Sequence, residues 1–436
     1  MARDGFSMKV LHLNTHASGG SYEYAALLST ALADEGIESR VLCKDSQPLK
    51  AGRNLADRVI RKGYVSFSTK AWHGTRRLLA PPRPDELQDF DLVHLHTVAD
   101  WFNVPRWLEM LPSDLGVIVT LHDLWHITGG CFLFDNCDRF IETCAPCPIL
   151  KTPLNRILAK DEQHRKLQAY RARRVQFVSN SQWLADLSNR SPIVRACGRA
   201  QVIPPGIDTD VFRPQDKSGC RAELGIPGDA FVLAAGAASL TDSNKNIAWL
   251  LQQLAGLPDL EDVMVVLAGE GNVEIPNKLN VRLMGGISDR SKRAAFFCAA
   301  DVFVSASLME TYGLTLIEAM SCGVPVVAFR TGGVPEAVPE QGGILCDLHD
   351  AAAFKAAIQK LRNNEAFRDE LGDAASKLVA ARNAKSRFAT EYARLYETYW
   401  NNSRTRHGDE GSLSSPLHLH RETPFKAELC KASDQL

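Results

Sequence analysis

This chain has no apolar run approaching the roughly 20 residues that span a bilayer. Its first residues, through Phe6, lack the apolar core of a secretory signal. These absences give the expectation of a cytoplasmic protein, and with it the expectation that the eleven cysteines are mostly reduced. Charge of one sign is lacking as well: 50 Lys and Arg stand against 51 Asp and Glu, a formal net charge of −1. Nothing in that balance demands nucleic acid as a partner. What remains is ordinary globular material, 45% hydrophobic and 23% charged over 436 residues, enough for two or three domains that each bury a core.

The neutrality is unevenly distributed. Between Gln47 and Pro84, Lys50, Arg53, Arg58, Arg61, Lys62, Lys70, Arg76, Arg77 and Arg83 face one acid, Asp57, with Ile60, Val65, Phe67, Trp72, Leu78 and Leu79 interleaved. A second basic stretch runs from Lys151 through Lys160, Arg165 and Lys166 to Arg171, Arg173 and Arg174. Two readings stand side by side: a face lying on an anionic leaflet, and a solvated basic helical face.

Along the chain, strand and helix alternate. Strands are predicted at Lys9–Asn14, Ser39–Cys43, Asp91–His96, Val117–Leu121 and Val175–Ser179, with Ser18-Gly19-Gly20 and a helical run Glu23–Leu32 after the first. The rhythm returns at Phe231–Ala235, Val263–Leu267, Val281–Met284, Asp301–Val304, Val324–Phe329 and Gly343–Cys346, with helices opening near Asn244, Asp289, Gly313 and Asp350. This is the pattern of two parallel, doubly wound sheets. Val202-Ile203-Pro204-Pro205-Gly206-Ile207-Asp208, followed by Phe212-Arg213-Pro214, is too stiff for a helix and predicts a hinge. The resulting division is a flexible 1–7, a first domain 8–205, a hinge 206–215, a second domain 216–384, a terminal helix 385–402 and a disordered tail 403–436. Tyr392, Leu395, Tyr396 and Tyr399 recur at helical spacing in that helix, whereas Leu417-His418-Leu419-His420 in the tail is too weak a signal for a metal site.

The most informative segment is Met309 to Ala328. A buried strand ends near Ser305, a loop carries Glu310, and a helix opens at Gly313 whose first amides, at Leu314 and Thr315, can hold phosphate. Glu318 follows about one and a half turns later, facing the same cleft. The spacing, the Gly-Leu between the acids, the Glu-Ala after the second and the strand Gly-Val-Pro-Val-Val together resemble the Glu-x7-Glu signature of retaining glycosyltransferases of family 4, the "glycosyl transferases group 1" type. The Pro-x-Gly-Ile-Asp linker is similar to theirs too. The resemblance implies a GT-B architecture, two Rossmann-like domains across a cleft, with the terminal helix crossing back to the first domain. It further implies a nucleotide-diphosphate sugar as donor, Glu318 on the ribose hydroxyls, and Glu310 beside the transferred hexose. Sequence does not decide whether Glu310 attacks; for this family, departure and attack on the same face is favoured, with the first Glu orienting sugar hydroxyls.

Other donor contacts follow with their plainer alternatives. Gly19 and Gly20 match the family's glycine-rich loop after the first strand, or make a tight turn. His122, in Thr-x-His-Asp at a strand's C-terminal end, looks like the family's active-site histidine, or is a structural one. Lys245 stands where a phosphate-clamping lysine is expected, but Ser239 occupies the place of the family's arginine, leaving Arg290 or Arg330 as replacements. Gly269 and Gly271, with Gly285-Gly286 and Gly332-Gly333, end strands near the nucleoside position. No Asp-x-Asp pair is placed to hold a divalent ion, and the resemblance implies that transfer requires no cofactor.

Four thiols remain, Cys131-x5-Cys137-x6-Cys144-x2-Cys147. They suit a structural zinc that pins a long loop, with His126 able to replace one of them, or stay unligated, or pair as disulfides. Trp125, Phe132 and Phe134 in this loop suit stacking on an acceptor sugar or burial. The series His-Asp-x-Trp, Gly-Gly-Cys, Cys-x-x-Cys-Pro is similar to that of a bacterial polysaccharide subset, implying a saccharide acceptor, lipid-linked, in exopolysaccharide, O-antigen or capsule synthesis. Two alternatives stand: a nucleotide-sugar 2-epimerase of the same fold, and a non-catalytic nucleotide-sugar-binding partner, which Ser239 motivates.

Overall fold

Every residue of Leu92–Leu95 (LVHL) and of Gly116–Leu121 (GVIVTL) is buried, as befits strands covered on both faces by helices. The computed structural model describes residues 8–44, 81–132, 137–150 and 153–410. The first basic stretch, Arg83 apart, therefore lies outside the described residues, as do Phe134, Lys151, residues 1–7 and the tail from 411.

Two six-stranded, wholly parallel sheets form the protein. The first comprises β1 (Lys9–Asn14), β2 (Glu38–Cys43), β3 (Leu92–Leu95), β4 (Gly116–Leu121), β5 (Gln176–Ser179) and β6 (Gln201–Val202), in the order β2-β1-β3-β4-β5-β6. The second comprises β7 (Phe231–Ser239), β8 (Val263–Glu270), β9 (Asn280–Gly285), β10 (Val302–Ser305), β11 (Val326–Phe329) and β12 (Gly343–Cys346), in the order β12-β11-β10-β7-β8-β9. The strand order reverses between β1 and β3 in one sheet and between β7 and β10 in the other, and ligands bind at such switch points, outside the strands' C-terminal ends.

The structure differs from expectation in a few places. β6 is only two residues long, too short to show a pattern, and it extends the first sheet by pairing with β5. β7 and β8 run on to Ser239 and Glu270, because Gly236 and Gly269 let the two backbones approach; a Cβ on Gly269 would meet Ala237 O at 2.0 Å. The hinge is double: Ile207 N–H donates to Asn383 O at 2.6 Å and Lys385 N–H to Ile207 O at 3.1 Å, so the two chain passages between the domains are paired.

The terminal helix, Lys385–Glu410, packs on the first sheet. Tyr392 OH bonds Tyr24 OH (2.8 Å) and Thr120 Oγ1 (2.6 Å), and Tyr396 OH bonds His94 Nδ1 (2.7 Å). It continues to Glu410 instead of stopping at Asn402, because each residue added to an established helix gains a backbone hydrogen bond. The second basic stretch is only partly a free face: Lys160, Arg171 and Arg174 are exposed, but its other described bases are engaged. Lys166 is fully buried, Arg173 donates to the carbonyls of Leu111, Pro112 and Leu115, and Arg165 pairs with Asp161 and Glu162.

Candidate active site

Gly313 has φ 100°, a left-handed conformation that favours glycine, and no side chain caps the helix Leu314–Ser321 that it opens. The first amides of that helix are thus unclaimed by any capping side chain and lie opposite the glycine loop of the first domain: a Cβ on Gly20 would sit 3.5 Å from Leu314 Cδ1. Gly19, at φ 86°, precedes the helix Gly20–Ala31, which also lacks a side-chain cap. Two helix N-termini, one per domain, face each other across the cleft.

Glu310 and Glu318 flank that helix opening, each held by a cation. Lys245 Nζ lies 2.5 Å from Glu310 Oε1, and the two loops are stitched further by Asn244 Nδ2 donating to Met309 O (2.9 Å) and Leu308 N–H to Asn244 O (2.8 Å). Burial works to lower the Lys245 ammonium, but Glu310 overrides it and the lysine stays above its ordinary range. Behind Glu310, Gly332 leaves no room for a side chain, since a Cβ there would meet Glu310 O at 2.1 Å.

Glu318 is 7% exposed, and Arg293, which no sequence pattern singled out, reaches it at 3.1 Å while also touching Glu23 at 3.4 Å. Burial pushes the Glu318 carboxyl up to about 7, with Arg293 opposing. The pair lines a cavity of about 290 Å³ between the domains, together with Tyr24, Asp208, Phe212 and Arg290. Of the two replacements for the missing arginine, Arg290 lies here, 3.4 Å from Asp208, whereas Arg330 turns away to exposed Asp347. Ser239 bonds Thr241 Oγ1 at 3.1 Å and brings no charge. Gly269 is explained by strand packing, and Gly271 lies against Thr241.

His122 ends β4 half-buried, its ring edge-on to Tyr24 at 4.8 Å. Burial depresses it to about 3, so at neutral pH it is an uncharged imidazole with a single N–H. Its Nε2 lies 2.9 Å from His96 Nδ1, and His96 Nε2 lies 3.1 Å from His12 Nδ1. His12 Nε2 is buried without a partner. A buried N–H without an acceptor is the costlier orphan, so the His12 proton belongs on Nδ1. Each ring then donates to the next, and His122 is left with Nδ1–H on its open side. His12, His94 and His96 also bring ligand atoms within 4.8 Å of one another. Both nitrogens of His94 are engaged by Tyr396 and Thr120, and both of His96 by His12 and His122, so a metal there would have to displace this network.

Residues 231–364 match the family model described as "Glycosyl transferases group 1", and residues 18–211 match that described as "Glycosyltransferase Family 4". The chain thus carries one domain matching each of these two glycosyltransferase family models, arranged in the GT-B fold. The chain is 34% identical over 207 residues to a D-inositol 3-phosphate glycosyltransferase of Nocardioides sp., covering 42% of this chain and 45% of that protein. It is 26% identical over 379 residues to D-inositol 3-phosphate glycosyltransferase 2 of Catenulispora acidiphila, covering 80% and 82%. The matches to the Nocardioides, Arthrobacter and Streptomyces avermitilis proteins span half of those proteins' length or less. Among solved structures, sucrose-phosphate synthase from Thermosynechococcus elongatus superposes with a TM-score of 0.64 at 19% identity, covering 91% of this chain and 100% of that one. Anabaena HepE in complex with UDP and glucose gives 0.57 at 17%, covering 90% and 100%. At such identities the likeness is one of fold.

The cysteine loop follows directly on His122. Cys131, Cys137, Cys144 and Cys147 line one cavity and are free thiols. His126 is not among them, its nitrogens being taken by Tyr170 OH (2.7 Å) and His96 O (2.9 Å). Trp125 is 1% exposed and packs under Lys166, so it is a core residue and not a stacking platform.

Proposed function

We propose that the cleft transfers a hexose from a nucleotide-diphosphate sugar to an acceptor hydroxyl with retention of configuration. The observation that carries this is the uncapped helix opening at Gly313, set between cation-held Glu310 and Glu318 and opposite the Gly19-Gly20 loop. A diphosphate meets amide dipoles there, with Lys245 and Arg290 as the nearby cations in place of the absent arginine at Ser239. Glu318 takes the ribose hydroxyls, whose donation favours its ionised form. Glu310 lies against the sugar and orients its hydroxyls, with leaving and attacking oxygens on one face. His122 donates Nδ1–H to a sugar hydroxyl, and no divalent ion is needed in the transfer.

For the acceptor we propose a saccharide, lipid-linked, in exopolysaccharide, O-antigen or capsule synthesis. A phosphorylated cyclitol is the second reading, favoured by the similar proteins being D-inositol 3-phosphate glycosyltransferases. Among the described residues no helix is long and apolar enough to cross a membrane. Peripheral contact with an anionic leaflet is part of the same reading; in the second basic stretch it is open to the exposed Lys160, Arg171 and Arg174, whereas Lys166 and Arg173 are engaged internally.

Calorimetric titration of UDP, GDP and ADP into the wild type and Glu318→Ala tests the donor site: one nucleotide binds selectively, and the variant loses it. Glu310→Ala keeps that binding and loses turnover with the matching sugar nucleotide, and product anomeric configuration read by NMR tests retention. Free epimerised donor would favour the epimerase alternative. Nucleotide-sugar binding without hydrolysis or transfer to saccharide or cyclitol phosphate acceptors would favour a non-catalytic partner.

A further inference from the structure

Between β4 and the helix Pro153–Ala172 the described chain forms only two three-residue turns, Trp125–Ile127 and Arg139–Ile141, yet Cys144 and Cys147 are buried within the first-domain core. Four thiols line one small cavity, beside Gly129, Arg139 and Phe140. Cys144 Sγ accepts the Gly129 N–H at 3.1 Å, and Gln163 Oε1 fixes the same cysteine through its backbone N–H at 2.9 Å. Gly129 has no room for a side chain, since a Cβ would meet Ala159 O at 2.2 Å, so this approach of amide to sulfur is built in. The Cys131 thiol hydrogen-bonds Cys147, and the Leu150 and Ile149 amides also point at that sulfur. Amides directed at sulfur stabilise thiolates.

The cations beside the cavity are as telling as the thiols. Lys166 has no exposed surface, and its ammonium donates to two neutral carbonyls, Trp125 O at 2.5 Å and Thr128 O at 3.1 Å. A fully buried ammonium is expensive unless negative charge stands near. Glu162 is the charged group that acts on it most, followed by the thiols of Cys144 and Cys131 and then Asp123, and Arg139 acts on Cys147.

We propose that Cys131, Cys137, Cys144 and Cys147 bind one zinc(II) as four thiolates, with Lys166 and Arg139 balancing the charge of the site. Binding breaks four S–H bonds and releases four protons to solvent; four Zn–S bonds form, no electron is transferred, and the centre carries a net charge of −2. Four thiolates close the coordination sphere, which makes the role structural: the ion ties down the loop that begins at His122. Zn–S bonds of about 2.3 Å hold tetrahedral sulfurs about 3.8 Å apart. Among the described residues no three of these sulfurs lie within 4.8 Å of one another, so binding draws the loop inward.

The test is elemental analysis of the full chain purified without a histidine tag, combined with thiol titration and independent of any transferase assay. The expected result is about one zinc per chain, with four thiols that react only after a chelator is added. Cobalt(II) in place of zinc should give the visible bands of a tetrahedral tetrathiolate. Cys144→Ser should lower metal content, while Cys197→Ser, whose thiol is away from the cavity, should not. Lys166→Met should weaken zinc in competition with a chelator at least severalfold. Should a cysteine variant fail to fold, the wild-type metal content and thiol protection decide alone. Less than about a tenth of an equivalent of zinc with four freely titrating thiols, or a Cys131–Cys147 disulfide by mass spectrometry, would overturn the proposal.

Discussion

Arg293→Met removes the cation that keeps Glu318 ionisable, and its cost should depend on pH in a calculable way. In the folded protein Glu318 sits at about 7, above its ordinary 4.5, because burial outweighs Arg293. A carboxyl raised in the fold binds more protons there than in the unfolded chain, so this group's contribution to stability falls as pH rises from about 4.5 to 7. Loss of a neighbouring guanidinium raises a carboxyl by one to three pH units; taking about two places Glu318 near 9 in the variant. The added penalty is then about 1.4 kcal/mol at pH 8 and under about 0.1 kcal/mol at pH 6, where the carboxyl is already about nine-tenths protonated in wild type. Lost contacts to Glu23 and the Phe212 ring add a part that does not vary with Glu318. For a domain of this size the pH-dependent part is worth about 3–5 °C in melting temperature. The assay is thermal unfolding of wild type and variant at both pH values, with Glu318→Gln/Arg293→Met as the control in which the difference vanishes. An equal destabilisation at pH 6 and pH 8 would refute the coupling.

Three further outcomes follow from the geometry. The His122 imidazole should stay neutral from pH 8 to pH 5, with its proton on Nδ1, in side-chain nitrogen NMR spectra; His12→Phe should mix the two tautomers and lower turnover by roughly five- to tenfold, the worth of one hydrogen bond. A midpoint above pH 5, or a wild-type proton on Nε2, would contradict the relay. Tyr392→Phe, which strips the hydroxyl shared by Tyr24 and Thr120, should cost about 1–3 kcal/mol by chemical denaturation, and an unchanged midpoint would show that the crossing helix is held by apolar packing alone. Gly332→Ala should abolish turnover by displacing the Glu310 carbonyl while the protein remains folded by circular dichroism; full activity would mean that the Glu310 loop moves freely.

Much of this site was legible because its signals are local. Strand, loop, Gly313 and two acids fall within one short segment, and a helix that starts after a left-handed glycine fixes where both carboxylates emerge. β1 and β12 were bounded correctly because their apolar runs end at turn residues. Arg293 was illegible for the opposite reason: Glu318 lies on another helix, and an Arg-x2-Arg pair on a surface helix reads as solvated charge. Lys166 misled in the same way, since a helix this polar hides the one position that points inward. Its Trp125 and Thr128 carbonyl partners come from a loop whose path no periodicity describes. The histidine relay joins β1, β3 and the end of β4, residues far apart in sequence that only the parallel register brings side by side.

The polar contacts between the domains are themselves part of the site. Thr311, next to Glu310, donates to His122 O at 3.1 Å and accepts from Asn180 Nδ2 at 3.0 Å. Glu336 receives the Gln182 and Trp183 amides, both at 2.7 Å, at the N-terminus of a first-domain helix. Arg293 joins Glu23 to Glu318. The only paired backbone between the two domains among the described residues is at Ile207 and Ala384, a narrow double strand suited to act as a pivot, and Ile207 lines the same cavity as Glu23, Arg293 and Glu318. Opening about that pivot would separate Thr311 from His122 and so disturb the surroundings of Glu310. Under the function proposed above, closure and assembly of the donor site would then be coupled, and a donor bridging the two helix N-termini would supply differential binding energy for the closed form.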